Sequence, residues 1–425
     1  MKNWTVMDVD MALREELQSF VPHRIFDAHS HWYAREHLHQ PGKTIFTEGP
    51  HECGAAEWRR WIVETTGVTP VGGLAFPAPT PNADVAASNE FLLRELDANS
   101  SCRGLLLVRA DTDPVSLPTH GQILGLKPYH VYATHEPTFE APIPTFVPRP
   151  LWEYADEHGF LIMLHVVRAE AVSDERNLSD LVEFCTAYPR ARVVLAHAGR
   201  SFHAHHVGRA LERLAELPNI WFDSSGICEP EPLAAILRAF GPKRLMWGSD
   251  FPVCAIRGRA VTIGDGFAWI DPDSYRFEDQ PVGCRPTLVG IESVRALRTA
   301  CETLGFSDDQ VAEIFYGTAA RLVGMESTDG DSVQTRYREA RAIIPGGTGL
   351  LSKRPERFLP NRWPAYFSEA RGCETWDTGG RRYLDFSMMG IGACILGFAD
   401  PDVNAAVTRR VTLGSMCTLN PPEEV

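Results

Sequence analysis

The sequence predicts an α/β protein: a (β/α)8 TIM-type barrel over residues 1–324, a polar linker over 325–333 and a small α+β segment over 334–425. Three observations carry that reading. Eight short, apolar, β-rich runs recur through the first part of the chain, with helical patterns between many of them. Runs such as Phe160-Leu161-Ile162-Met163-Leu164 are apolar without alternation, which fits strands covered on both faces. The charge also changes sign: residues 334–425 carry 12 basic and 10 acidic side chains, leaving 29 basic and 45 acidic in 1–333. That change coincides with Glu326-Ser327-Thr328-Asp329-Gly330-Asp331-Ser332, a run with nothing apolar to bury.

In chain order, the expected barrel strands are Arg24–His29, Pro70–Phe76, Gly104–Arg109, Ile123–Pro128, Phe160–His165, Arg192–His197, Asn219–Ser224 and Lys243–Ser249. Segments such as Val85–Asn99, Leu178–Tyr188 and Pro232–Phe240 read as the helices between them. Counting alone leaves a doubly wound sheet open. The stretch Val253–Arg285 is rich in Gly, Asp and aromatics without clear periodicity, so it reads as a long loop after strand eight, on the side where a barrel holds its active site. Helices Thr287–Leu304 and Ser307–Val323 would close the domain. Beyond the linker, Gln334–Ile343 reads as a helix and Ile344-Pro345-Gly346-Gly347 breaks it. Pro364–Ser368, Glu374–Asp377 and Arg382–Phe386 read as short strands around a Thr378-Gly379-Gly380 turn, followed by a helix over Pro401–Leu413.

Composition narrows the function. A length of 425 residues suits two domains, and 44 % hydrophobic with 23 % charged residues is ordinary globular content. A net charge of −14 makes the chain a poor partner for phosphate backbones or anionic lipid, so neither nucleic acid nor membrane is expected as a partner. No run approaches the ~20 apolar residues of a spanning helix. The N-terminus meets Asp8, Asp10 and Glu15 too early to be a signal peptide. Ten cysteines without CxxC pairs read as reduced thiols, hence a cytoplasmic protein. A homo-oligomer is compatible with all of this.

The strand ends carry the chemistry. Asp27-Ala28-His29-Ser30-His31 places two imidazoles at i and i+2, which point the same way from an extended strand. His165 ends strand five, His197 ends strand six and Asp250 follows strand eight. In a barrel these ends converge on one mouth, where four imidazoles and a carboxylate would build a mononuclear or dinuclear divalent-metal site. Each histidine alone is more often a satisfied polar residue than a ligand, and Asp250 alone would pass for a turn residue; the ordered set is the signal. Asp223 reads as a hydrogen-bonding partner, and His203, His205 and His206 as a solvent-facing helix start. Lys127, one of five lysines, is a surface cation, an anchor for substrate or a carbamylated bridge between metals, with the anchor preferred. Arg200 either grips a carboxylate through its planar fork or lies on a helix surface. Together they suggest a small-molecule substrate that is itself a carboxylate.

With these residues in view, the chain resembles a known family. Asp27-Ala28-His29-Ser30-His31, Leu195-Ala196-His197-Ala198-Gly199 and Trp247-Gly248-Ser249-Asp250-Phe251-Pro252 are similar to the amidohydrolase superfamily. The branch resembled is the amidohydrolase-related group that includes aminocarboxymuconate semialdehyde decarboxylase and the 2-pyrone-dicarboxylate lactonases. The closing Ile314-Phe315-Tyr316-Gly317-Thr318-Ala319-Ala320-Arg321-Leu322 also matches, with Thr318 where Asn is common. The resemblance spans residues 24–324. It implies a distorted barrel with metal held by His29, His31, His165 and Asp250, zinc first and manganese as the alternative. It also implies His197 beside the attacking water and Asp250 as proton acceptor, making His197 and Asp250 the catalytic pair. TatD-like nucleases share the His-x-His but usually place Glu where Lys127 stands. The implied reaction is hydrolysis of an amide, ester or lactone of a small organic acid, with decarboxylation as the alternative. A barrel without catalysis, serving as a binding domain, is the reading from another class.

The C-terminal segment resembles the N-terminal part of class III aminotransferases, glutamate-1-semialdehyde aminomutase in particular. The matching residues are Ala342-Ile343-Ile344-Pro345-Gly346-Gly347, Trp376-Asp377-Thr378-Gly379-Gly380-Arg381-Arg382-Tyr383-Leu384-Asp385 and Ile395-Leu396-Gly397-Phe398-Ala399-Asp400-Pro401, with Phe398 where the family usually has His. These enzymes hold pyridoxal phosphate on a lysine. No lysine follows Lys353, so no residue here is assigned to pyridoxal phosphate, and that cofactor is expected only with a complete downstream domain. On that view the chain is a fragment of a bifunctional hydrolase and aminotransferase.

Overall fold

A computed structural model of the chain describes residues 3–279, 283–325, 333–360, 362–378, 382–387 and 392–414. Contacts divide the chain into two compact units, Met1–Met325 and Glu326–Val425. The expected linker lies almost wholly outside the described residues, as do Gly379, Gly380 and the last residues of the chain.

The first unit is built on strands β1 (Phe26–Ala34), β2 (Glu52–Cys53), β3 (Gly72–Pro77), β4 (Arg103–Val108), β5 (Ile123–Pro128), β6 (Leu161–Leu164), β7 (Arg192–Leu195), β8 (Ile220–Asp223) and β9 (Leu245–Met246). Their spatial order is β2-β1-β3-β4-β5-β6-β7-β8-β9, with β2 antiparallel to β1 and the others parallel. The sheet curls until its ends meet. Ala28 N donates to the Trp247 carbonyl at 3.0 Å, Asp250 N to that of His29 at 2.9 Å and His31 N to that of Phe251 at 2.7 Å, with Ser30 bridging Phe251 in parallel. This is a closed eight-stranded parallel barrel of the TIM type with one short antiparallel strand appended.

Alternate residues fill the lumen. Phe26 and Ala28 on β1, Leu74 and Phe76 on β3, Leu161 and Met163 on β6, and Val194 and Ala196 at β7 share one buried cluster with Tyr316, Ala319 and Leu322 from the closing helices. A larger cluster lies on the outer face, where Trp58, Trp61, Phe91, Trp152 and Leu297 from helices meet Trp32, Leu106, Ile162 and Val193 from strands. The first strand runs five residues beyond the expected His29, and its register shifts between Asp27 and Ser30. That irregularity changes the facing residues: Phe26 and Ala28 serve the lumen, whereas His29 and His31 face the mouth.

Helices Val85–Asp97, Glu175–Ala187, Pro230–Phe240 and Val289–Thr303 lie within a few residues of the expected spans, and helices Asp8–Leu17, Ala55–Thr66 and Arg149–His158 add to them. Capping side chains set several starts, with Asp84 accepting from Ala87 N and Asp174 from Arg176 N. The loop expected over Val253–Arg285 instead contains an antiparallel hairpin, β10 (Arg259–Ile263) and β11 (Gly266–Ile270). Its two-residue turn is Gly264-Asp265, with Gly264 at φ +60. The base of the hairpin requires glycine: Gly258 sits at φ +123, and a Cβ there would lie 2.2 Å from the Ile270 carbonyl oxygen.

The second unit carries helix Val333–Ile343, an antiparallel sheet of β12 (Phe367–Arg371), β13 (Glu374–Asp377) and β14 (Arg382–Leu384), and helix Pro401–Thr412. The first expected strand, Pro364–Ser368, is displaced toward the C-terminus. No helix among the described residues is long and apolar enough to cross a membrane. The cysteines among them are unpaired.

Candidate metal centre and active-site cavity

The mouth of the barrel is organised by buried carboxylates. Asp27, fully buried, accepts hydrogen bonds from Trp58 Nε1 at 2.7 Å, Ser249 Oγ at 2.6 Å, Ser249 N at 2.8 Å and His29 N at 3.1 Å. It thereby ties β1 to the turn that carries Asp250. Burial pushes its carboxyl up to about 6 despite these donors. Gly248 permits the closeness, because a Cβ there would lie 2.8 Å from the Cβ of His29.

Asp223, at the end of β8, is the second organiser. Its Oδ2 accepts from His29 Nδ1 at 2.9 Å, and its Oδ1 accepts from His197 N at 3.0 Å, Ser225 N at 3.1 Å and the Ser225 hydroxyl. The His29 bond puts the ring proton on Nδ1 and turns the Nε2 lone pair into the mouth. His31 repeats the pattern, with Nδ1 facing the Pro77 carbonyl at 3.4 Å. Because the Ser225 hydroxyl is given to Asp223, His197 Nδ1 must itself be the donor, to the Ser225 carbonyl at 3.0 Å. This assigns the lone pair of His197 to Nε2.

Three acceptor atoms therefore face one another. His29 Nε2 and His31 Nε2 are 3.4 Å apart, and Asp250 Oδ1 lies 3.4 Å from the first and 3.5 Å from the second. Burial holds both imidazoles below their ordinary values, which favours the neutral, ligating form. Burial alone would raise the Asp250 carboxyl, but His197, His31 and His29 beside it hold it well below the usual carboxylate range. Two lone pairs and a carboxylate oxygen at this separation repel unless a cation lies between them, and the donor set suits a divalent metal. His29, His31 and Asp250 fit such an ion.

His197 is aimed by unusual backbone. β7 stops at Leu195, two residues short of the expectation, and His197, Ala198, Gly199 and Arg200 follow with φ of +54, +54, +69 and +57. This left-handed turn brings His197 Nδ1 to 3.8 Å from Asp250 Oδ2. Asp250 itself has φ +54. His165, one residue past β6, is brought beside His197, with ring centroids 5.0 Å apart, but it is not among the groups whose ligand atoms lie within 4.8 Å of one another; those are His29, His31, Asp250 and His29, His197, Asp223. Its Nδ1 is buried with no hydrogen-bond partner among the described residues.

Above this floor lies a cavity of about 550 Å³ that is lined by His31, Lys127, His165, His197, Arg200 and Asp250, among others. Lys127, on β5, is fully buried, and its Nζ has no hydrogen-bond partner among the described residues. It lies 4.7 Å from the Phe76 ring centroid and 5.5 Å from that of Tyr129. Burial lowers its amine from 10.5 to about 8. Arg200 reaches the cavity from the left-handed turn, with Nη1 donating to the Arg168 carbonyl at 2.8 Å.

Several contributors were not singled out in the sequence. Phe76 packs against both His29 and His31 at 4.8 Å, and Tyr129 against His165 at 5.0 Å. The Lys127-Pro128-Tyr129 strand end was the available signal for Tyr129. Ser225, two residues past Asp223, offered none. Arg257 lines the cavity from a fully buried ion pair with Asp10, at 3.0 and 2.5 Å. The expectation that His203, His205 and His206 all face solvent fails for His206, which is buried because its turn packs on Ser173, whose hydroxyl donates to the His206 carbonyl.

The closed parallel barrel, with its ligating groups at the strand ends, defines a metal-binding barrel protein. The chain belongs to the amidohydrolase family, whose model matches residues 57–325. The match includes His165, His197 and Asp250 and begins after His29 and His31. One curated relative is the L-fucono-1,5-lactonase of Burkholderia ambifaria, 34 % identical over an alignment 134 positions long that covers 27 % of this chain and 45 % of that protein. Another is the glutamate-1-semialdehyde 2,1-aminomutase of Desulfovibrio desulfuricans, 35 % identical over 91 residues, 21 % of this chain and 20 % of that one. The chain thus spans less than half the length of the first and about a fifth of the second. Among solved structures, a zinc-bound amidohydrolase of Burkholderia multivorans overlaps 71 % of this chain and 99 % of its own, with a TM-score of 0.49 and 16 % identity.

Proposed function

We propose that the barrel unit is a divalent-metal-dependent hydrolase acting on an ester, lactone or amide of a small carboxylic acid. The observation that carries this reading is the convergence of His29 Nε2, His31 Nε2 and Asp250 Oδ1 within 3.4–3.5 Å at the floor of the cavity. A divalent cation held there, zinc or manganese, supplies an acidified water and a polarised carbonyl. The chain's own groups do the rest. Asp250 Oδ2, turned away from the two histidines toward His197, receives a proton from the attacking water. His197 Nε2 accepts a hydrogen bond from that water and sets its direction of approach. Lys127 and Arg200 are assigned to the carboxylate of the substrate, the first as a buried point charge and the second as a fork at the rim. The C-terminal unit is read as the N-terminal piece of an aminotransferase-like fold, without an assigned cofactor residue.

The test is turnover by the zinc-loaded full chain on a panel of lactones and aryl esters in a pH-stat. Hydrolysis of a lactone releases a proton, whereas decarboxylation consumes one, so the sign of the titration separates the two reactions. His197→Ala and Asp250→Asn should each lower kcat/KM by ~10²–10⁴ with the melting temperature retained. Full activity in His197→Ala would reduce His197 to a structural residue.

A further inference from the structure

The hairpin β10–β11 forms part of the cavity wall. Phe267 and Trp269 line the cavity beside Phe202. Phe202 lies 4.6 Å from Phe267 in a tilted pair and 5.6 Å from Trp269 edge to face, and it stacks on His197 at 6.0 Å and 21°. A run of ring faces thus climbs from the catalytic floor to the hairpin. The hairpin is seated from outside the cavity: Arg259 donates to the Cys228 carbonyl at 2.8 Å, and His203 Nε2 to the Gly264 carbonyl at 3.2 Å. The lining also includes Ile45 and Phe46.

Two of the polar groups in the lining are already partly engaged. Arg200 has one nitrogen on the Arg168 carbonyl and lies over the Phe267 ring at 5.7 Å. Asp271 Oδ1 accepts from Asp273 N at 2.9 Å and Ser274 N at 2.8 Å. We propose that the hairpin is the specificity element of the cavity: Phe267, Trp269 and Phe202 form an aromatic shelf that selects acids bearing a flat, unsaturated ring over polyhydroxylated ones. A planar ring gains stacking along the shelf while its carboxylate remains free to meet the cationic side chains. A sugar-derived acid would bury hydroxyls against ring faces with no partner for them. The inference rests on the hydrolase reading for the reaction but not for the binding.

Both are tested on the zinc-loaded full chain, with benzoate and gluconate as binding probes and dihydrocoumarin and glucono-1,5-lactone as substrates. Benzoate should quench tryptophan fluorescence saturably, with the signal lost in Trp269→Phe, and gluconate should bind at least about tenfold more weakly. Phe267→Ala should weaken benzoate about tenfold and raise KM for dihydrocoumarin, with zinc content and melting temperature retained, while Phe267→Leu lies between. Benzoate binding on the shelf with neither lactone turned over would overturn the hydrolase reading and uphold the shelf. Preference for glucono-1,5-lactone, indifference of both ligands to Phe267→Ala, or no binding of benzoate would overturn the shelf, whatever the hydrolase result.

Discussion

Replacing Lys127 with methionine should make the protein more stable and less active. The side chain is fully buried and its amine lacks a partner among the described residues. Methionine keeps the length of the stem and removes the charge. In the unfolded chain the amine keeps its proton up to pH 10.5, whereas in the folded barrel it does so only to about 8. Below pH 8, at about 1.4 kcal/mol per tenfold change in proton affinity, this protonation difference costs the fold about 3 kcal/mol. The unfolded state binds more protons between those limits, so wild-type stability rises with pH from 8 to 10.5 and is lowest, in this respect, at neutral pH. Lys127→Met should therefore raise the melting temperature at pH 7 by about 4 °C for a unit of this size, and the advantage should shrink as pH approaches 10. The assay is thermal unfolding of both chains by circular dichroism across pH 7–10, in matched chelator, alongside kcat/KM for a carboxylate-bearing substrate, which should fall. A variant that melts below wild type at pH 7, with an unchanged pH slope, would show that the ammonium is solvated or paired and would refute the argument.

The remaining predictions are simpler. Elemental analysis of the purified full chain should find about one divalent ion, and His31→Ala should lose most of it, since two ligands hold such an ion poorly. Asp10→Asn should destabilise the barrel by about 3–5 kcal/mol, because it leaves Arg257 buried beside a neutral partner. The Asp10 carboxyl is raised by burial but held below 3.8 overall by Arg257 and Thr287, so its contribution is present above that value and lost as pH falls through the folded one, which acid titration of wild type against the variant will show. The 425-residue chain should bind no pyridoxal phosphate, because no lysine follows Lys353. A borohydride-sensitive absorbance band near the visible edge would contradict this.

Much of the barrel was legible because parallel strands buried on both faces read as apolar runs, and because residues at their ends then share one mouth. His29 and His31 were legible as a pair for a simple reason: positions i and i+2 of any strand face together. Their place within β1 was not, since the register shift after Asp27 depends on how β3 pairs. The left-handed turn after β7 escaped notice because Ala198 and Arg200 are not residues that announce positive φ. The hairpin was missed for a different reason. Its Gly264-Asp265 turn is a recognisable signal, but the strands beside it are short and one of them, Gly266–Ile270, is half-buried throughout without alternation. The role of Asp27 was invisible because its partners, Trp58 and Ser249, lie far away in sequence and no local pattern links them.

The turn from His197 to Arg200 has a wider consequence. A backbone coiled against the preference of L-residues costs about 1–2 kcal/mol at each position other than glycine. Here Gly199 alone is exempt, and its own space is tight, since a Cβ there would lie 2.9 Å from that of Val172. The segment has no local reason to adopt this shape. It is held by partners contributed from elsewhere, foremost the carboxylate of Asp223 on the His197 amide. Until β8 is in place beside β7, residues 197–200 have every incentive to wind the ordinary way, which would carry the imidazole and the guanidinium out of the mouth. The aim of both side chains into the mouth is thus a property of the assembled barrel: it depends on β8 lying beside β7 and would be lost with that pairing.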